Sequence, residues 1–232
     1  MPELWTANLG MVEYREAYAL QERVRAARQA EAIPDTLLLL EHPPVYTRGR
    51  RSDPGELAIG EDWYRVQGID IVEVDRGGKV TYHGPGQLVG YPIMRIDDVM
   101  AFVHTMEDAI VAALAEEGIE SRSRPDEGIE YTGVWVQDRK IASIGVHVGK
   151  GVTTHGFAVN VDNDLQPFEW VVACGLPEVR MTSITKETGR GDHLPCFRKR
   201  MAFRFAEAFE RRPRLVSRVR LEAAMGAAPV AY

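Results

Sequence analysis

Cysteine is almost missing from this chain: Cys174 and Cys196 are the only two among 232 residues, and they form no CxxC pair. That excludes a disulfide scaffold and a zinc knuckle. Long apolar runs are missing too. The longest aliphatic stretch, Leu37 to Leu40, is far too short to span a bilayer. The first ten residues, MPELWTANLG, carry no basic segment followed by an apolar run, so no signal peptide is expected. Positive charge is not in excess: the net charge is −6, which argues against nucleic acid as the main partner. No membrane partner is expected either, and the setting expected is reducing and cytoplasmic. Gly/Ser linkers, repeats and low-complexity tracts are also lacking. One domain over residues 1–232 follows, with a tail loose from about Met225.

What is present is an ordinary globular balance, 45% hydrophobic and 27% charged, enough to build a core without staples. Glu13 to Ala30 reads as an amphipathic helix with Ala17, Leu20, Val24 and Ala27 on one face. Asp98 to Glu117 reads as a second helix, ended by Gly118, and Pro195 to Arg211 as a third, with Phe197, Met201, Phe205 and Phe209 at helical spacing. Strands are expected at Thr36–Leu40 (stopped by Pro43-Pro44), Ile69–Val74, Leu88–Met94, Gly133–Val136 and Lys140–Val148. A last strand, Val152–Val161, is expected to break at Gly156. Clustered strands with flanking helices, without βαβ alternation, indicate an α+β fold.

Three segments hold residues that are poor choices for structure alone. Arg76 to Gln87 (RGGKVTYHGPGQ) packs five glycines and prolines into twelve residues, leaving backbone amides open to close approach. Its glycines are wrongly spaced for a dinucleotide fingerprint, and no Gly-Lys-Ser/Thr closes a phosphate loop. In the second segment, Lys140 opens an apolar strand and Ser143, Ile144 and Gly145 follow. Alone, such a lysine reads as an edge charge that discourages strand pairing. In the third, Gly156, Phe157 and Ala158 precede Ala173-Cys174-Gly175. A cysteine between small residues is sterically open, as a nucleophile must be, but is equally a buried spacer. The basic groups Arg48, Arg50, Arg51 and Arg122, Arg124 read either as solvated loop charge or as a landing site for an acidic partner or phosphate.

Taken in order, RGGKVTYHGPGQLVGYP, GVWV, KIASIGV, THGFAVNVDNDL and ACGLPEVRMTS resemble the lipoyl(octanoyl) transferases of lipoate biosynthesis, from Leu37 to about Ser183. Two positions depart from that pattern: Lys79 stands where glutamine is usual, and Ala173 where proline usually precedes the cysteine. The resemblance implies the fold of the biotin and lipoate protein ligases, a mixed sheet with helices packed against it. It implies that Cys174 accepts the acyl group and that Lys140 is its catalytic partner. The substrate would lie against Arg76, Gly77, Gly78, Lys79, Val80, Thr81, Tyr82 and His83, against Ser143, Ile144 and Gly145, and against Gly156, Phe157 and Ala158. The implied donor is octanoyl-acyl carrier protein. The implied acceptors are the lipoyl domains of 2-oxoacid dehydrogenase E2 subunits and the glycine cleavage H protein. No cofactor and no metal is implied.

Chemically, a thiolate exchanges with the donor thioester, and the acceptor amine then attacks the thioester on the cysteine. Amides beside Gly77, Gly78 and Gly145 are candidate oxyanion donors, and His83 can help move protons. Val80, Ile144 and Phe157 are expected to line a tunnel for the chain, with room left by Gly156 and Ala158. The other five histidines, His147 and His155 included, lack ligand spacing and are read as structural. The nearest alternative is an ATP-dependent lipoate or biotin ligase, in which Lys140 would steady a phosphoanhydride and Cys174 would have no task. A non-enzymatic acyl-binding protein is the alternative from another class.

Overall fold

The structure, a computed structural model, describes residues 1–171 and 179–226, with the side chain of Pro54 left aside. Eleven strands and seven helices are found among these residues. In chain order they are β1 (Glu3–Met11), α1 (Tyr14–Gln29), β2 (Asp35–Glu41), β3 (Val45–Arg48), α2 (Glu61–Val66), β4 (Asp70–Glu73), β5 (Thr81–His83), β6 (Gln87–Ile93) and α3 (Val99–Ala115). There follow β7 (Gly133–Val136), β8 (Arg139–Gly149), β9 (Val152–Asn160), α4 (Gln166–Glu169), β10 (Arg180–Met181), α5 (Ile184–Thr188), α6 (Leu194–Ala208), β11 (Arg212–Leu215) and α7 (Arg218–Gly226).

The large sheet runs β10-β8-β9-β6-β2-β1-β11, with β7 also on β8, and mixes parallel with antiparallel pairs. Side chains alternate across it, and β2 shows the consequence. Leu37 and Leu39 enter one core with α3 and α6, while Leu38 and Leu40 enter another with α1 and α7. A run of four leucines is thus the mark of a strand covered on both faces. A second sheet, β4-β3-β5, gathers its own aromatic cluster around Tyr46, Tyr64, Val80, Tyr82 and Phe168.

The helices follow from caps and periodicity. Asp98 accepts hydrogen bonds from Met100 N and Ala101 N and so starts α3. Gly118, at φ +78°, turns the chain away after it. Phe102, Val103, Ile110 and Leu114 of α3 are buried, each contributing roughly 1.5–3 kcal/mol. Helix α6 stops at Ala208; Phe209 lies beyond it yet packs its ring, tilted by 32°, against Phe205, with ring centroids 4.5 Å apart.

The structure corrects several expectations. The strand at β9 does not break at Gly156. A Cβ there would stand 2.2 Å from Gly90 O and 2.4 Å from Pro92 Cδ, so this glycine permits close strand packing and leaves the ladder whole. Thr81 to His83 forms a strand within the glycine-rich segment Arg76 to Gln87. Near the C-terminus, Ala224 and Met225 still pack against the second core. No helix among the described residues is long and apolar enough to cross a membrane.

Candidate active site

A cavity of about 220 Å³ opens between the small sheet, strands β8 and β9 and the start of α3. The glycine turn before β5 forms one wall. It can lie close to β8 because Gly145 has no side chain: a Cβ there would be 3.0 Å from Gly77 O and 3.3 Å from Arg76 Cδ. Arg76 is buried and braces the turn. Its Nη2 donates to both the carbonyl and the hydroxyl of Thr47, at 2.7 Å each, and its Nη1 to Gly77 O at 3.0 Å.

Of the residues the sequence singled out, Arg76, Gly77, Gly78, Lys79, Thr81 and His83 line this cavity. Lys140, Ser143, Ile144, Gly145, Gly156, Phe157 and Ala158 line it as well. Val80 and Tyr82 do not; strand alternation turns them into the aromatic cluster of the small sheet, while Thr81 and His83 face the cavity. The tunnel wall expected from Val80 is supplied instead by Val99, Met100 and Val103 of α3, with Val146 of β8. The Gly77 amide is not an available oxyanion donor, because it donates to Val146 O at 3.0 Å.

Lys140 is not an edge charge. It is 2% exposed, faces Trp135 on β7 and Met181 on β10, and its carbonyl accepts from Thr182 N at 3.0 Å. Its Nζ stands 5.2 Å from the Trp135 ring centroid, and the Arg124 guanidinium stands 4.4 Å from the same centroid. Arg124 is thereby buried structure, no solvated loop charge. Arg48 is committed to Glu61 at 2.8 Å, whereas Arg51 borders the cavity. Lys79 pairs at 3.2 Å with the buried Glu56, which also accepts from Val80 N. Cys174 lies outside the described residues. The segments flanking it are tied down: Trp170 O accepts from Tyr64 OH at 2.7 Å, and Met181 is in register with Lys140. Cys196 is exposed at the start of α6, away from the cavity lining.

Sequence reasoning missed a polar cluster at the cavity. Tyr14, Tyr91 and His155 line it. His155 Nε2 stands 2.7 Å from Asp75 Oδ1, and its Nδ1 is 3.4 Å from Tyr14 OH. The Asp75 carboxyl is held below its ordinary range, first by the His155 hydrogen bond. Burial pushes the Tyr14 hydroxyl up to about 12 and lowers His155. His155 holds φ +58° inside a strand, the kind of backbone strain that gathers at working sites. No local spacing signals this pair, since its members are 80 positions apart.

Residues 13–206 match the model of the lipoyl protein ligase A/B catalytic domain. The octanoyltransferase of Dictyoglomus thermophilum is 48% identical over 176 residues, 76% of this chain and 74% of that protein. That of Caldicellulosiruptor saccharolyticus is 42% identical over 219 residues, 92% of both chains. Among solved structures, the bipartite lipoate protein ligase of Thermoplasma acidophilum superposes with a TM-score of 0.69 at 18% identity, covering 97% of this chain and 91% of that one. The biotin protein ligase of Aquifex aeolicus gives 0.53 at 13% identity, covering 90% and 70%; both likenesses concern the fold. The chain belongs to the lipoyl protein ligase A/B catalytic-domain family and, within it, groups with the octanoyltransferases.

Proposed function

We propose that this octanoyltransferase works in two steps through a thioester on Cys174, with Lys140 as the catalytic partner. In the first, the Cys174 thiolate attacks the carbonyl carbon of octanoyl-acyl carrier protein. The donor C–S bond breaks, and the carrier thiol leaves with a proton. In the second, a lysine amine of a lipoyl domain, from a 2-oxoacid dehydrogenase E2 subunit or the glycine cleavage H protein, attacks the new thioester. An amide forms, and Cys174 departs as thiol. The donor thioester carries the energy, so ATP has no role. The Gly78 amide, which donates no backbone hydrogen bond among the described residues, is the oxyanion donor in this reading. A reducing cytoplasm is the setting that keeps such a thiol active.

The observation that carries the reading is a lysine 2% exposed in the wall of a cavity of octanoyl size. A cavity of 150 Å³ holds benzene. In proportion, about 220 Å³ suits roughly nine heavy atoms, the eight carbons and one oxygen of an octanoyl group. Burying its seven methylene and methyl groups contributes about 0.8 kcal/mol each.

Intact-mass analysis after incubation with octanoyl-acyl carrier protein, without ATP, tests the proposal. One octanoyl group should map to Cys174, vanish in Cys174→Ala and survive in Cys196→Ala. An adduct on Cys196, or a requirement for ATP and free acid, would overturn it.

A further inference from the structure

Glu107 is the one acidic residue on the buried face of α3, at 2% exposure among Val103, Met106 and Ile110. An apolar side chain there would extend the core, while a buried carboxylate is costly unless hydrogen-bonded. Its two oxygens are both engaged. Oε1 accepts from Gly133 N at 2.8 Å, and Oε2 faces His104 Nδ1 at 3.0 Å. His104 is half-exposed, so the buried partner is the backbone amide.

Gly133 is the first residue of β7 and stands beside the lysine of the site. Its φ of +133° is one that L side chains avoid. A Cβ there would lie 2.3 Å from Ala142 O and 2.8 Å from Lys140 Cε. The bare α-carbon of Gly133 is therefore the surface along which the end of the Lys140 side chain passes. A continuous set of contacts runs from the Glu107 carboxylate through the Gly133 amide and α-carbon to Lys140 Cε.

We infer that Glu107 is a positioning residue for Lys140: by accepting the Gly133 amide it fixes the backbone against which the Lys140 side chain is placed. The inference rests on the reading of Lys140 as the catalytic partner. Displacing a reacting group by about 1 Å is enough to cost on the order of 100-fold in rate.

What matters in this arrangement is reach. Glu107→Gln keeps an acceptor oxygen at the same distance and gives up the charge. Glu107→Asp keeps the charge and retracts the oxygens by one methylene. Glu107→Leu removes the acceptor and fills the volume. Turnover of an octanoyl thioester, thermal midpoint and hydrogen exchange at the Gly133 amide are to be read on all three.

The expected result is Gln within ~3-fold of wild type, and Asp and Leu lower in kcat by ~10–100-fold with KM within ~2-fold. Gly133 exchange should be fast in Asp and Leu and slow in Gln. If Leu does not fold, the Gln and Asp pair still decides. Asp turning over like wild type, or Gln as slow as Asp, would overturn the inference. Lys140→Ala separates the two levels. If it turns over normally, the reading of Lys140 fails. If it is inactive while Asp and Leu at 107 are normal, only the role of Glu107 fails.

Discussion

His83 Nδ1 stands 2.7 Å from Oε1 of Gln87, and this contact fixes the tautomer of a ring that lines the cavity. Gln87 Nε2 donates to Tyr82 O at 3.1 Å and to Asn160 Oδ1 at 2.9 Å. A carbonyl can only accept, so the amide cannot be reversed, and its oxygen must face His83. Nδ1 therefore carries the hydrogen. Burial pushes the His83 pKa well below its ordinary value, which keeps the ring neutral and leaves Nε2 with its lone pair. Nitrogen-15 spectra of labelled histidine should show His83 protonated at Nδ1 and bare at Nε2. Gln87→Leu should mix the two tautomers. A ring protonated at Nε2 in the wild type would refute the assignment.

The buried histidines also set the response to acid. Burial lowers His42 to about 4 from 6.5 and lowers His83 and His155 as well. Below the unfolded value of 6.5 the unfolded chain binds protons that the folded chain refuses, so stability falls as pH falls from about 7 toward 4. Near pH 5, where the unfolded rings are protonated and the folded ones are not, His42 and His83 each contribute a slope approaching about 1.4 kcal/mol per pH unit, and less toward pH 7. Asp75, whose pKa is depressed, contributes stability that is present above its unfolded value of 3.8 and is lost as pH falls through it toward the lower folded value, so it adds to the loss only at the acid end of this window. Urea unfolding at pH 7, 6 and 5 measures the slope. A flat profile would mean that the rings take up protons without unfolding.

Fold and site were legible to different degrees, for physical reasons. The helices α1, α3 and α6 announced themselves by apolar spacing, and Asp98 and Gly118 marked the ends of α3. β1 was not seen, because Glu3 to Met11 gains its place by pairing with β2 and with β11, where Glu3 stands opposite the distant Arg212. The turn residues at the cavity were found by motif, but a motif does not say which face a side chain takes. Strand alternation decided that for Val80 and Tyr82. His155 was read as structural because it lacks ligand spacing, and nothing near it in sequence hints at its contact with Asp75.

Gly90 and Phe157 are cross-strand partners, and the ring lies on the bare α-carbon. A Cβ at Gly90 would meet Phe157 Cζ at 2.1 Å. Phe205 occupies the core side, with ring centroids 6.1 Å apart, so a displaced ring must move toward the cavity. Gly90→Ala should cost roughly 1–3 kcal/mol by overpacking. Adding Phe157→Leu should recover part of that loss, giving a favourable coupling in a double-mutant cycle. Strict additivity of the two changes would show that they do not meet.

The arginines once grouped by sequence should now separate. Arg48 is held by Glu61, while Arg51 lies at the cavity beside Glu130, 3.9 Å away, and is largely exposed. If the donor is an acidic carrier protein, Arg51→Ala should raise its KM and weaken its salt dependence, sparing a small octanoyl thioester. Arg48→Ala should change thermal stability more than donor KM. Equal loss with both donors in Arg51→Ala would assign that arginine to the site itself.

The last prediction concerns what Lys140 supplies besides charge. A cysteine of pKa ~8.5 is about 3% thiolate at pH 7. A nearby cation that lowered it to ~6.5 would raise this to roughly 75%, about 25-fold. Nucleophilicity falls with pKa at a slope of ~0.4–0.5, which removes about 8-fold of that gain. The net is ~3-fold, under 1 kcal/mol, too little to justify burying a lysine at 2% exposure. If Lys140 is the catalytic partner proposed above, proton transfer is the larger service expected of it: from the thiol or incoming amine, and back to the leaving thiol. Lys140→Arg keeps the charge and cannot give up a proton. It should slow acylation and amine transfer by ~100-fold or more while iodoacetamide still reports a reactive Cys174. Both rates staying within a few-fold of wild type would reduce Lys140 to a counter-ion.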